Sequence, residues 1–179
     1  MTTEKLWRMD EGFSLVEVLM TMALLVVLLG LAVPGVSTWR SRHELQSVAE
    51  DVWNSLMLAR SQALVHQQRV VMCPAAPDNN CDAQGQWMLG WRVFVDNDHD
   101  GQRGARELVL QSRGVLPHAV RLQGNSTVSR GVRYGPDGLG DGLGGTFSLC
   151  SVATREGWKV IINAIGRPRM EKMEVPDCV

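Results

Sequence analysis

Residues Phe13 to Val33 read FSLVEVLMTMALLVVLLGLAV, and Glu17 is the only charged side chain among them. At about 1.5 Å per residue, a helix of this length spans roughly 30 Å, the thickness of a bilayer's hydrocarbon core. The run exceeds the h-region of a secretory signal, and no small-residue cleavage site follows it. Val33-Pro34-Gly35 leads on to Ser37, Trp39, Arg40 and Arg42. The sequence therefore predicts a retained membrane helix. The rest of the 179-residue chain is long enough for one ordinary domain. With 18 Lys and Arg against 19 Asp and Glu, it is neither a basic nucleic-acid coat nor an acidic tail.

Glu17 is the odd residue of the run. A carboxylate at membrane depth costs about 2.5–3.5 kcal/mol on insertion scales, less near the interface. Either it sits close enough to the helix end to be tolerated, or it meets a cation in the bilayer. A cut between Gly12 and Phe13 would place a new α-amine one helical turn from Glu17. One subunit's amine could then pair with a neighbour's carboxylate and set the axial register. Lys5 and Arg8 precede the span while Arg40 and Arg42 follow it, so basic residues alone barely orient it.

Gly12-Phe13-Ser14-Leu15-Val16-Glu17, behind the short polar segment Met1 to Gly12 and ahead of an apolar helix with Pro34 near its end, resembles the type IV prepilin motif. The resemblance implies that residues 1–12 are a leader, that a prepilin peptidase cleaves after Gly12, and that the amine of Phe13 is methylated. It also implies partners: other pilins or pseudopilins and an inner-membrane assembly platform. The implied location is the inner membrane, with a single span and a periplasmic C-terminal head, and then a pilus or pseudopilus fibre.

Beyond Pro34, Leu45, Val48, Val52, Leu56, Ala59 and Ala63 recur every three or four residues, with Arg42, Glu50, Asp51, Asn54 and Arg60 largely between them. This predicts an amphipathic helix over about Ser37–His66, joined to the apolar segment at a proline kink. Short segments rich in Val, Ile, Phe, Trp and Leu follow: Arg69–Cys73, Trp91–Val95, Glu107–Gln111, Val120–Leu122, Gly131–Tyr134, Thr146–Cys150 and Trp158–Ile165. No further long helix alternates with them. The fold class is α+β, a type IV pilin-like fold with a long N-terminal helix packed on an antiparallel sheet. Its expected divisions are 1–12 leader, 13–36 membrane and assembly helix, 37–67 amphipathic helix and 68–179 β-rich head. The pieces ELQSVAEDVWNSLMLARSQAL, VVMCP, GWRVFVDNDHDG, GTFSLC and IGRPRM resemble the FimT/FimU/GspH-type minor pilins and pseudopilins. That implies a role in a type IV pilus, at its initiation or tip, with a type II secretion pseudopilus as the alternative.

Cys73, Cys81, Cys150 and Cys178 allow three pairings. Pairing Cys73 with Cys81 closes a short loop, and pairing Cys150 with Cys178 pins a terminus that would otherwise fray. Reduced thiols or a zinc site are the competing readings, though no C-x2-C pair is present. Asp96, Asp98, Asp100, Gly101 and Glu107 follow the D-x-D-x-D-G-x5-E spacing of a calcium loop. Yet Arg103 stands where an apolar residue is usual, and the flanks WRVFV and ELVLQ look like strands. An Asp/Asn/Gly hairpin connection explains the same residues without an ion, so no obligatory cofactor is expected.

Gly140, Gly142 and Gly145 formally spell G-x-G-x-x-G, but the TFSLC that follows reads as a strand, which argues against a dinucleotide cradle. His43, His66, His99 and His118 are scattered, and no nucleophile elbow or H-E-x-x-H is present, so an enzyme is not expected. Without residues 1–12 the chain has 16 basic and 16 acidic residues, and any attraction to DNA must be local. One candidate holds six arginines and Glu107 between Arg103 and Arg133. The other is Gly166-Arg167-Pro168-Arg169, which resembles the G-R-x-R signature of FimT-type DNA-uptake pilins. Arg167 and Arg169 would point the same way from an extended segment, diluted by Glu171 and Glu174.

Overall fold

The computed structural model describes residues 12–78, 80–140, 142, 144–174 and 178, with the backbone alone at 31–36 and 174. The expected leader, up to Glu11, lies outside the described residues. The chain divides into two compact units, Met1–Ser37 and Thr38–Val179, and α1 (Leu15–His66), the one α-helix among the described residues, contributes to both.

In the first unit the Ser14 hydroxyl accepts the Val16 N–H at 3.3 Å, and the Ser14 carbonyl accepts from Glu17 and Val18, which starts α1. The helical backbone continues through Pro34. The apolar and amphipathic halves expected on either side of that residue are one continuous element, as the long N-terminal helix requires. A proline removes one i→i−4 bond and its ring crowds the carbonyl of residue i−4, which bends a helix without having to end it. Among the described residues no helix is long and apolar enough to cross a membrane. The apolar run has described side chains only as far as Gly30.

In the second unit the predicted stripe is the buried face of α1: Leu45, Val48, Val52, Leu56, Ala59 and Ala63 are all buried, joined by Ala49 and Ser55. Burying each Leu or Val in that row is worth about 1.5–3 kcal/mol. Among the described residues eight strands follow: β1 (Val70–Pro74), β2 (Trp91–Val95), β3 (Val109–Arg113), β4 (Val120–Gly124), β5 (Val132–Tyr134), β6 (Gly145–Ser151), β7 (Glu156–Ile162) and β8 (Pro168–Glu174). They form two antiparallel four-stranded sheets, ordered β3-β2-β1-β5 and β4-β6-β7-β8. One core joins the helix stripe to Val70, Met72, Trp91, Val93 and Tyr134 of the first sheet and to Phe147, Leu149, Val160 and Ile162 of the second. A smaller cluster of Val71, Cys73, Cys81 and Phe94 occupies the other face of the first sheet.

This arrangement is α+β as expected, with two differences. The head has two sheets where one is expected, because β4 pairs with β6 while its successor β5 returns to β1. Such non-local pairing leaves no trace in the periodicity of either strand. The last expected strand, Trp158–Ile165, ends at Ile162, and the chain turns at Asn163–Arg167 into β8. β8 reads PRMEKME, and its charges suit an exposed edge strand while hiding the alternation that would reveal it.

Candidate functional site

At the N-terminal end, Gly12, Phe13 and Glu17 are all exposed. Phe13 is 83% exposed, and Leu15, Val16, Leu19, Met20, Met22, Leu24, Leu25, Val26, Val27, Leu28 and Leu29 each leave more than half their surface uncovered. These positions take in every direction around the helix axis. A helix apolar on all sides requires an apolar environment, lipid or other helices. Glu17 lies in the first turn, where the N-terminal end of the helix dipole favours a negative charge.

The acidic motif forms the connection between β2 and β3, flanked by strands on both sides. Asp96 directly follows β2, its N–H donating to the Arg69 carbonyl at 2.9 Å. Val95 N–H donates to the Leu108 carbonyl at 2.9 Å, which closes the base of the loop. Glu107 is held from within: Oε1 accepts the Asn97 N–H at 2.7 Å and Oε2 the Gly104 N–H at 2.8 Å. Carboxylate oxygens of Asp96, Asp98 and Glu107 lie within 4.8 Å of one another. Asp100, the fourth residue of the motif, does not join them. Its Oδ1 accepts the Gln102 N–H at 2.6 Å and turns the loop instead. Gly101, at φ +75°, occupies the left-handed region that the sharp turn requires. Arg69 is a member of this site that its spacing did not reveal: Nη1 donates to the His99 carbonyl at 3.0 Å and stands 3.6 Å from Asp96 Oδ2.

The G-R-P-R segment forms the tip of the β7–β8 hairpin. Asn163 organises it, with Oδ1 accepting from Arg167 N–H at 2.8 Å and Ile165 N–H at 3.2 Å while its own N–H donates to the Arg167 carbonyl. Gly166 adopts φ +79°, and its carbonyl accepts the Tyr134 hydroxyl at 3.0 Å. Pro168 opens the edge strand, as its missing N–H suggests, and its carbonyl accepts from the Trp53 indole at 3.2 Å. Arg167 and Arg169 are exposed, but Arg169 pairs with Glu171 at 3.1 Å, which offsets one of the two charges. Lys172 lies over the Trp158 ring at 5.3 Å.

The four cysteines form the bridges Cys73–Cys81 and Cys150–Cys178, with Cα atoms 5.5 and 5.7 Å apart. Cα separations of this size are typical of native disulfides. The first closes the turn after β1, and the second ties Cys178 to β6. The glycine pattern at Gly140–Gly145 leads into strand β6, so it has no helix N-terminus to offer a phosphate.

Two family models match this chain. The prokaryotic N-terminal methylation motif covers residues 7–33, and the type II transport protein GspH covers residues 48–166. No curated protein matches its sequence. Among solved structures it is similar to the type IV minor pilin FimU of Pseudomonas aeruginosa, at 23% identity and a TM-score of 0.58, over 73% of this chain and 90% of that one. A second crystal form of FimU gives 22% and 0.55, over 71% and 92%. The minor pseudopilin EpsH from the type 2 secretion system of Vibrio cholerae is similar at 11% identity and a TM-score of 0.50, over 75% of this chain and 99% of that one. These likenesses are likenesses of fold: a long helix packed on antiparallel sheets.

Proposed function

Because the chain belongs to the GspH family of type II transport proteins and carries the N-terminal methylation motif, we propose that this minor pilin-type subunit enters a type IV pilus through its N-terminal helix. The helix waits in the inner membrane, and its head lies on the periplasmic side. The observation that carries this reading is the uncovered, largely apolar surface around Phe13–Leu29, in which Glu17 is the only charged side chain. A soluble monomer would pay for that surface in water, whereas lipid and then a bundle of like helices cover it. Processing after Gly12 frees the amine of Phe13, and Glu17 of a neighbouring subunit meets that charge in the dry core of the fibre.

The test is made in the native host. Mass spectrometry of sheared fibres should find the subunit beginning at a methylated Phe13, and Gly12→Ala should leave the leader attached. Glu17→Ala should still be inserted and cleaved yet be missing from the fibre. Normal incorporation of that variant would remove the charge-pairing role. Recovery of the subunit only with a protein-export apparatus, in cells whose pili lack it, would replace the pilus by the secretion pseudopilus.

A second reading adds DNA capture. It is supported by the position of Arg167 and Arg169 on a hairpin tip that Asn163 holds rigid, and weakened by Glu171 beside Arg169. Gel shifts should then weaken with added salt and disappear in the Arg167→Ala/Arg169→Ala double variant. Equal binding by the parent and the double variant would reject it.

A further inference from the structure

We propose that the β2–β3 loop binds one calcium ion through Asp96, Asp98 and Glu107. The anchor and the hairpin tip make no use of this loop, yet it brings three carboxylates together in a partly buried place. Asp96 and Glu107 are buried, and Asp98 is exposed at the mouth.

Calcium is bound by oxygens at 2.3–2.6 Å, so any two ligands of one ion stand no more than about 5 Å apart. The three carboxylates already satisfy this limit, with oxygens within 4.8 Å of one another.

Proximity of acids alone would not make a site. Asp96 supplies the independent reason: its side chain is fully buried, and neither Oδ1 nor Oδ2 accepts a hydrogen bond. Arg69 Nη1 pairs with it only at 3.6 Å from Oδ2, beyond hydrogen-bond length, and donates to the His99 carbonyl. A buried carboxylate without hydrogen bonds is strongly disfavoured, more so facing two further carboxylates, and a bound cation removes both penalties.

Glu107 is compatible with this role. Each of its oxygens accepts one backbone N–H and retains a lone pair for a metal. An all-oxygen, carboxylate-rich set on a loop, with no phosphate to share the ion, favours calcium over magnesium, which demands a tight octahedron and keeps its own waters. Ligation would lock the connection between β2 and β3, and the head's stability would follow free calcium.

The experiment uses the full chain in detergent with calcium chloride as the probe. Equilibrium dialysis with radioactive calcium should give one ion per chain, and calcium should raise the melting temperature by several degrees over a chelator. Asp98→Asn keeps the hydrogen-bonding shape at an exposed position and should weaken binding at least tenfold without lowering the melting temperature in chelator. Asp96→Asn should abolish binding. Should that buried variant fail to fold, Asp98→Asn still decides the matter. Substoichiometric binding at millimolar calcium, unchanged affinity in Asp98→Asn, or magnesium binding as tightly as calcium would each overturn the assignment.

Discussion

Tyr134 is the chain's single tyrosine, and burial pushes its phenol well above the ordinary value of 10, against a weaker opposing pull from Arg60. The neutral form is the one the fold holds, donating to the Gly166 carbonyl. In the unfolded chain the group ionises near pH 10, so its contribution is fully present below that pH and is lost as pH rises further, at up to about 1.4 kcal/mol per unit. The near-ultraviolet tyrosinate signal belongs to this residue alone. It should stay absent well above pH 10 while the chain is folded and appear only with unfolding. A midpoint near pH 10 in folded protein would show the phenol to be accessible. Tyr134→Phe should remove this alkaline loss yet begin about 1 kcal/mol lower, since the Gly166 carbonyl loses its donor. A second buried bond ties helix to sheet: Trp91 Nε1 donates to Ser55 Oγ at 2.9 Å, and the Ser55 hydroxyl donates to the Asp51 carbonyl at 2.7 Å. Ser55→Ala strands the indole N–H in the core and should cost about 1–3 kcal/mol in urea unfolding, whereas a surface change such as Ser61→Ala should fall within about 0.5 kcal/mol.

The elements differ in how openly the chain announces them. The α1 stripe from Leu45 to Ala63 repeats at helical spacing, and every expected position of it is buried, because one packed face dictates both spacing and residue type. Strands β1, β2, β4 and β6 are equally plain from their Val, Leu, Phe and Trp content. β8 stayed hidden because its stability comes from pairing with β7, as in Val160↔Met170, and from Cys178 nearby in the chain, not from its own pattern. The acidic loop was legible as a motif, but only folding shows which acids meet: exposed Asp98 lies beside buried Asp96 and Glu107, while Asp100 closes a turn. Arg69 could be found only in three dimensions, thirty residues before His99. The β7–β8 hairpin gives a test at this scale. A Cβ at Gly166 would stand 2.8 Å from both the Gly140 nitrogen and Tyr134 Cε1, at φ +79°. Gly166→Ala should therefore cost more than about 1 kcal/mol, and Asn163→Ala, which frees two backbone donors, should lower stability in the same direction. Losing Cys150–Cys178 by a double serine substitution should cost about 2–4 kcal/mol. Thermal melts of the three variants against the parent check all of these.

At the scale of the whole molecule, the two units ask for different surroundings. Among the described residues of the first, none is buried, and its helix displays apolar side chains in every direction. The second begins at Thr38, and the buried apolar residues begin at Leu45. Both disulfides, the Arg42–Glu156 and Arg113–Asp51 ion pairs and the Ser55–Trp91 bond lie within it. The ion pairs are exposed and worth little; the core and the bridges decide the matter. A chain starting at Thr38 therefore retains these interactions of the head and loses apolar surface that water disfavours. It should be soluble without detergent and unfold in a single cooperative transition, with a urea midpoint within about 10% of that of the full chain in detergent. The measurement is tryptophan fluorescence and circular dichroism on the same samples, since coincident transitions establish that helix and sheets come apart together. A broad transition, or helix lost ahead of the sheets, would mean that the fold of the head depends on the apolar segment before Thr38.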